Sequence, residues 1–184
     1  MKKLFGILFS VIAFIYTVWY MHFGVPYLNS GALSKIGLYH HTYFVIWGFL
    51  TFLALCYNTV LAYTRYTKSR VYIPLLVFSA VGMLLTLSFD FDFSKKPDYY
   101  FHCAGSLAFS VLMGITIFVL FALCYKKDKI FKVFSVITAV ILIADLVCLI
   151  IYKETALIET LPVFAGYIML CIVNLRRDRV EAVR

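Results

Sequence analysis

Charged residues are scarce in this sequence of 184 residues. They account for 14% of the chain, whereas a soluble globular domain carries about a quarter. Apolar residues account for 64%, and the mean hydropathy is +0.94. A chain with so little polar surface cannot cover a globule in water, but lipid can solvate an apolar exterior. The composition therefore excludes a soluble domain and predicts an integral membrane protein.

The sequence also lacks the cysteine and glycine patterns of several site classes. Its five cysteines are Cys56, Cys103, Cys124, Cys148 and Cys171; each lies in or at the edge of an apolar run, and no two form a C-x-x-C pair. This scattered, odd-numbered set argues against a disulfide framework or a thiolate metal site. There is no glycine-rich phosphate loop, so nothing favours nucleotide binding.

Six long apolar runs take the place of these patterns. A spanning helix needs about 20 residues, and runs of that length cover approximately 4–23, 39–63, 71–89, 99–125, 130–152 and 158–175. The first run follows Lys2 and Lys3 as a signal peptide does, but its apolar core is longer than about 15 residues and no A-x-A site follows, so we interpret it as an uncleaved span. The predicted fold is all-α: a single domain over 1–184, built as a six-helix transmembrane bundle.

The basic residues orient this bundle. With a cytoplasmic N-terminus, one side carries Lys2, Lys3, Arg65, Lys68, Arg70, Lys126, Lys127, Lys129, Lys132, Arg176, Arg177, Arg179 and Arg184, and the other carries only Lys35, Lys95, Lys96 and Lys153. Such asymmetry in short loops is typical of the positive-inside rule. We therefore predict two cytoplasmic termini in a multi-pass protein of the plasma membrane, and the Lys- and Tyr-rich composition favours a bacterial one. The net charge of +8 is then a topology signal that attracts membrane lipids, and no nucleic-acid partner is expected.

The histidines and most of the acids fall at the predicted outer ends of the spans. These residues are His22, His40, His41, His102, Asp90, Asp92, Asp98, Glu154 and Glu159. Three of the acids and one histidine lie in the single stretch "SFDFDFSKKPDYYFHCAGS" between the third and fourth runs. This concentration on one side predicts an outward-facing polar site.

The deepest polar group on that side is Asp145, on the fifth span. It lies about seven residues from the outer end of the span, or roughly 10 Å below it. A lone carboxylate at that depth is costly unless it is paired, hydrated or protonated, so it should face the bundle interior. On the fourth span, His102 and Ser106 are one turn apart and share a face. A cluster of Asp145, Ser106 and His102 is therefore geometrically possible.

We expect these groups to form an outward-opening pocket. Its predicted ligand-binding residues are His40, Asp90, Asp92, His102, Ser106 and Asp145, with Asp92 and Glu159 at the rim. The leading hypothesis is that this pocket binds a lipid headgroup, a small ligand or a metal ion without covalent chemistry.

A competing, enzymatic hypothesis is a zinc-dependent intramembrane lipid hydrolase. A hydrolytic zinc site has three protein ligands and an activated water. Here the metal would lie on His40, His102 and Asp90, while Asp145 or Glu159 would move protons. Alkaline ceramidases and adiponectin receptors use similar residue types, but this chain lacks the H-x-x-x-H pair on its final span.

Three further functional classes are compatible with a helical bundle to different degrees. Haem ligation by His102 with His40 or His41 is disfavoured, because such ligands normally lie well within their spans. A structural subunit is favoured by stripes of small and hydroxyl residues, which line close helix contacts in lipid. Those stripes would contact a partner membrane protein or a second copy of the chain. Six short spans without an internal repeat do not favour proton-coupled transport.

The segment from Val71 to Tyr152 resembles a known family. An acidic stretch closes the third span, and "YYFHCAGSLAFSVLMG" opens the fourth, in a pattern similar to the DRAM-type membrane proteins (damage-regulated autophagy modulators) and their bacterial relatives. The matching positions are Asp90, Asp92, His102, Ala104 and Gly105. The resemblance implies the six-helix fold and a role in lipid or membrane homeostasis, and it supplies no catalytic residue.

Overall fold

The computed structural model of the protein describes residues 2–176, and these residues form helices and loops without a β-strand. The α-helices are α1 (Lys2–Met21), α2 (Leu33–Tyr39), α3 (His41–Tyr66), α4 (Tyr72–Ser88), α5 (Lys96–Leu123), α6 (Lys129–Tyr152) and α7 (Ala156–Leu175). A short 3₁₀ turn, Asn29–Gly31, precedes α2. The predicted all-α class is confirmed.

Five of these helices are long and apolar enough to cross a membrane: α1, α3, α5, α6 and α7. The sixth apolar helix, α4, has 17 residues. Each predicted apolar run thus contains one helix, as expected for a helical membrane protein. The short helix α2 has no counterpart among the predicted runs, because seven residues are too few to show a helical period.

The central helix of the bundle is α3, which contacts α1, α2, α4, α5 and α7. Its side chain Asn58 is 1% exposed and donates hydrogen bonds to the Gly6 carbonyl at 2.8 Å and to Ser10 Oγ at 3.1 Å, both on α1. Asn174 of α7 donates in turn to Asn58 Oδ1 at 3.0 Å. Interhelical hydrogen bonds of this kind hold helices together where lipid supplies no hydrophobic driving force.

Glycine allows a close approach between α4 and α5. A methyl group at Gly105 would lie 2.6 Å from the Gly82 carbonyl oxygen and 2.7 Å from the Thr86 nitrogen. These are backbone atoms that cannot move aside, so only glycine fits at this crossing. The small residues Gly82 and Gly105 are therefore occupied by contacts within the chain.

Only the N-terminal half of α6 contributes fully buried residues to the bundle. Its buried residues are Phe131, Phe134, Ser135 and Thr138, all in the half nearer its N-terminus. From position 139 to Tyr152 no residue of α6 is buried. The far half of α6 is therefore less closely packed than the near half, although Leu142 still contacts α5 at Gly114, and a crevice remains between α5, α6 and α7.

The end of the bundle at which α3 and α7 terminate carries the basic residues predicted to be cytoplasmic. The Arg65 guanidinium, in the last turn of α3, donates to the Asn174 carbonyl at 2.6 Å, and Arg176 pairs with Asp128 at 2.9 Å. These contacts join the ends of α3, α6 and α7. The remaining predicted cytoplasmic residues of the C-terminus, Arg177, Arg179 and Arg184, lie outside the described residues.

Candidate functional site

The crevice between α5, α6 and α7 is a cavity of about 400 Å³. This volume lies within the range of small-molecule sites, about 300–1,000 Å³. On α5 the lining runs from His102 to Ile117, which is about 22 Å along the helix axis. Side chains such as Leu142, Leu146, Val163 and Met169 form most of the wall. The cavity is therefore long, narrow and apolar over most of its length.

Carboxylates concentrate at the outer end of this crevice. Asp145, Glu154 and Glu159 all line it, together with Ser34, His102 and Ser106. These are three of the nine acids in the chain, and not one lysine or arginine from residues 2–176 is part of the lining. The net charge of the chain is +8, so this purely acidic set of charged lining residues is opposite in sign to the chain as a whole.

Asp145 is the carboxylate with the fewest partners. It lies on α6, seven residues before the helix ends at Tyr152, in the half of the helix that has no fully buried residue. Its Oδ1 atom is buried and has no hydrogen-bond partner among the residues that the structure describes. A buried polar atom without a partner is rare in a folded protein and points to an additional group at the site.

Glu159 has partners on the outer loop. It lies in the first turn of α7, where Thr155 caps the helix by accepting a hydrogen bond from the Ile158 amide at 3.3 Å. Its carboxylate accepts from the Leu33 amide at 2.5 Å and from Ser34 Oγ at 3.1 Å. Leu33 begins α2, and a negative charge at a helix N-terminus is stabilising. Glu159 thereby fixes α2 over the outer end of the crevice.

Glu154 lies in the loop between α6 and α7 and is half-buried. Its backbone carbonyl accepts a hydrogen bond from Asn29 Nδ2 at 2.7 Å, and Asn29 Oδ1 accepts from the Lys35 ammonium. Burial raises the pKa of the Glu154 carboxyl above its usual range, and the positive charge of Lys35 opposes this shift. The loop after α1 is thus tied to the loop before α7 beside the crevice.

His102 occupies the wall of the crevice at the level of the α4 C-terminus. Its side chain is 2% exposed, and its ring stacks on Phe44 with the centroids 5.7 Å apart. Nδ1 lies 2.8 Å from the Phe89 carbonyl oxygen, and because a carbonyl only accepts, Nδ1 carries the proton. In the neutral ring Nε2 is then a hydrogen-bond acceptor, and it is buried without a partner in the described part of the chain.

Three of the predicted pocket residues lie outside the crevice. His40 is exposed and its ring packs on Phe23 and Tyr43. Asp90 pairs with His41 at 3.7 Å and with Lys95 at 3.7 Å. The position of His40 follows from the end of α2 at Tyr39, which leaves the His40 ring at the surface.

Asp92, the third of these, is engaged within its own loop. Its Oδ1 accepts hydrogen bonds from the Ser94 amide at 2.9 Å and from Ser94 Oγ at 2.7 Å. These two hydrogen bonds lower the pKa of the Asp92 carboxyl below its usual range. The structure thus brings His102, Ser106, Asp145 and Glu159 to one crevice and leaves His40, Asp90 and Asp92 outside it.

The proposed zinc ligands do not form a cluster. Among residues 2–176 there is no group of three or more His, Cys, Asp or Glu side chains that could hold a metal ion. His40 is at the surface, Asp90 pairs with His41, and the Nδ1 atom of His102 is bonded to the Phe89 carbonyl. The arrangement of these residues therefore does not fit zinc, and the hydrolase remains a prediction without structural support.

Two lining residues escape the sequence analysis of the pocket. Ser34 belongs to α2, which has no signal in the pattern of apolar runs. Glu154 is recognisable as an outer acid, but only the fold of the α6–α7 loop brings it to the crevice.

No family model, curated protein or solved structure matches this chain.

Proposed function

We propose that the protein binds a membrane amphiphile in the crevice between α5, α6 and α7, without catalysing a reaction. The hydrocarbon tail of the ligand lies along the apolar walls, and its polar head lies at the outer end beside His102, Ser106, Asp145 and Glu159. The observation that carries this proposal is the lining of one cavity, which is mostly apolar along about 22 Å of α5 and has all three of its acids at Asp145 or nearer the outer end. An elongated apolar cavity with charged groups toward one end matches the shape and polarity of a lipid.

The attachment of α6 supports entry from the lipid phase. No residue of α6 beyond Thr138 is fully buried, and partly buried side chains such as Leu142, which packs on Gly114 of α5, hold this half of the helix. Separating it from α5 and α7 therefore costs less than opening a fully buried core. An amphiphile can then pass sideways from the bilayer into the crevice. A purely polar ligand would leave the apolar walls unfilled, so an amphiphile fits the lining better.

We place this site in a six-span protein with cytoplasmic termini, in the plasma membrane of a bacterium. The contacts of Arg65 and Arg176 at the end of the bundle opposite Glu159 support a cytoplasmic assignment for that end. The helix α4, although short, packs closely along α5 through Gly82 and Gly105, which supports its role as the sixth span. The polar end of the crevice then faces outward, and the resemblance to DRAM-type proteins is compatible with a lipid-related role.

A role as a structural subunit has less support. That hypothesis relied on small-residue stripes being available to a partner, and the stripe through Gly105 packs against α4 of the same chain. A membrane-protein partner or a second copy of the chain would therefore have to contact other surfaces.

The proposal is tested by filling the crevice. Ala165 lines it on α7, and Ala144 is an exposed position on α6 that does not line it. After purification in mild detergent with extensive washing, mass spectrometry should detect a stoichiometric amphiphile on the wild type and on Ala144→Phe. The amount on Ala165→Phe should fall severalfold, and Ser110→Phe, from the α5 wall, should behave in the same way. Equal amounts on all four proteins would contradict the proposal.

A further inference from the structure

The charged side chains at the polar end of the crevice are all acidic, and no lysine or arginine of residues 2–176 lines it. The titratable groups in its lining are Cys103, His102 and the acids Asp145, Glu154 and Glu159. Ionised carboxylates only accept hydrogen bonds. The Nε2 atom of His102, held as an acceptor by the bond from Nδ1 to the Phe89 carbonyl, adds one more buried acceptor without a donor among residues 2–176.

The three acids differ in how well the protein satisfies them. Glu159 accepts from the Leu33 amide and from Ser34 Oγ, both on α2. Glu154 lies within the field of the Lys35 ammonium. Asp145 has neither kind of partner, since its Oδ1 is buried and without a hydrogen bond in the described chain. Asp145 is therefore the carboxylate that lacks a cationic or hydrogen-bond-donating partner among the described residues.

We infer that the head of the bound amphiphile carries an ammonium group that lies against Asp145. This inference rests on the proposed function and adds the chemical class of the ligand to it. A primary ammonium offers three donors and one positive charge in a compact group. It supplies both the hydrogen-bond donors and the positive charge that the Asp145 carboxylate lacks, whereas a hydroxyl head supplies a donor alone.

The same lining disfavours other heads. A phosphate or carboxylate head would meet three acids in a low-dielectric cavity that has no lining lysine or arginine within residues 2–176. Lys35, a basic side chain of α2, is engaged with Asn29 and is not part of the lining. An anionic lipid would therefore be rejected even though its tail fits.

The experiment compares three amphiphiles with the same tail: tetradecylamine, tetradecanol and tetradecanoate. Their affinities for the wild-type protein are measured in an uncharged detergent, at a pH where the amine is cationic. We expect the amine to bind at least roughly tenfold more tightly than the alcohol, and the carboxylate to bind most weakly. In Asp145→Asn the preference for the amine over the alcohol should fall to about threefold or less. Asp98→Asn, which removes an outer acid that does not line the crevice, should keep the full preference.

The outcomes separate this inference from the proposed function. Equal binding of the three heads, or a preference for the alcohol, overturns the ammonium assignment while the amphiphile site stands. Failure of all three to bind overturns the proposed function as well. The wild-type comparison needs no variant, so a poorly folded Asp145→Asn protein does not leave the inference untested. An amine preference that Asp98→Asn reduces as much as Asp145→Asn also overturns it, because a diffuse surface charge would then be responsible.

Discussion

Asn174 on α7 donates its side-chain amide to both oxygens of Asn58 on α3, the backbone carbonyl and Oδ1, each at 3.0 Å. Both residues are at most 1% exposed. Because Asn58 in turn donates to Gly6 and Ser10, this pair couples three helices in the interior of the bundle. The pair forms part of the buried interior of the bundle, to which the outer half of α6 contributes no fully buried residue.

Replacing Asn58 with alanine should therefore destabilise the bundle. The change removes the donor to α1 and the acceptor for Asn174, and we expect a loss of roughly 1–2 kcal/mol in the free energy of unfolding. Thr64→Ala is the matched control on the same helix, because Thr64 is exposed and bonds only to carbonyls of its own helix. Thermal unfolding in detergent measures both variants. A stability for Asn58→Ala equal to that of Thr64→Ala would contradict the role of the pair.

Gly105→Ala should separate α4 from α5. The added methyl group meets backbone atoms of Gly82 and Thr86 within 2.7 Å, so the helices must move apart at a cost of about 1–3 kcal/mol. At Gly166 the same change meets only the ends of Leu55 and Ile117, at 3.0 and 3.4 Å, and flexible side chains can yield. Gly166→Ala should consequently be the milder variant in thermal unfolding. The reverse order of stabilities would show that the α4–α5 contact is looser than described.

His102→Phe should weaken the end of α4 while preserving ring packing. Phenylalanine retains the contact with Phe44 but leaves the Phe89 carbonyl without its donor, which costs roughly 1–3 kcal/mol. His40→Phe, at an exposed ring position, should leave stability within about 0.5 kcal/mol of the wild type. Denaturant or thermal titrations compare the two. If His40→Phe proved the more damaging, the assignment of His102 as the buried anchor would be wrong.

The pH dependence of stability should change sign between Glu154 and Asp92. Burial raises the folded-state pKa of Glu154, so folding favours its protonated form and stability is lost as the pH rises above the ordinary glutamate value of about 4.3. Glu154→Gln should therefore gain stability relative to the wild type as the pH increases through this window. The two Ser94 hydrogen bonds lower the pKa of Asp92, so its contribution is present above the ordinary aspartate pKa and is lost as the pH falls through the lowered value.

Asp92→Asn provides the internal comparison for this effect. Its stability relative to the wild type should decline as the pH rises, opposite to Glu154→Gln. Unfolding curves recorded from about pH 3 upward would test both slopes. Parallel slopes for the two variants would contradict the description of the two loops.

The sequence predicts the helices well and the site only in part. Apolar length alone identifies six helices, and helical spacing relates the side chains within each one. Within a regular helix the backbone fixes the direction of each side chain, so spacing carries this information. The same reasoning brings His102 and Ser106 onto one face of α5, where both line the crevice.

The residues at helix ends are where such reasoning fails. His40, a predicted pocket residue, lies between the end of α2 at Tyr39 and the start of α3 at His41, and its side chain is exposed. The crevice itself has no signal in the sequence. The outer half of α6 has no fully buried residue, yet its sequence is as apolar as that of a packed helix. Lipid and the protein interior favour the same side chains, so composition does not distinguish the two environments.

The most direct test of the crevice as an amphiphile-binding site is to locate the tail of a bound ligand. A tetradecyl chain with a diazirine near its terminal carbon, attached to either an amine or a hydroxyl head, would be irradiated with the wild-type protein and the labelled residues identified by mass spectrometry. A tail bound in the crevice should label residues around Gly114, Leu142 and Met169; unlabelled amphiphile should compete with it, and Ala165→Phe should lose the labelling. Labelling confined to outward positions such as Phe78 and Ile150, unaffected by competitor or by Ala165→Phe, would contradict it.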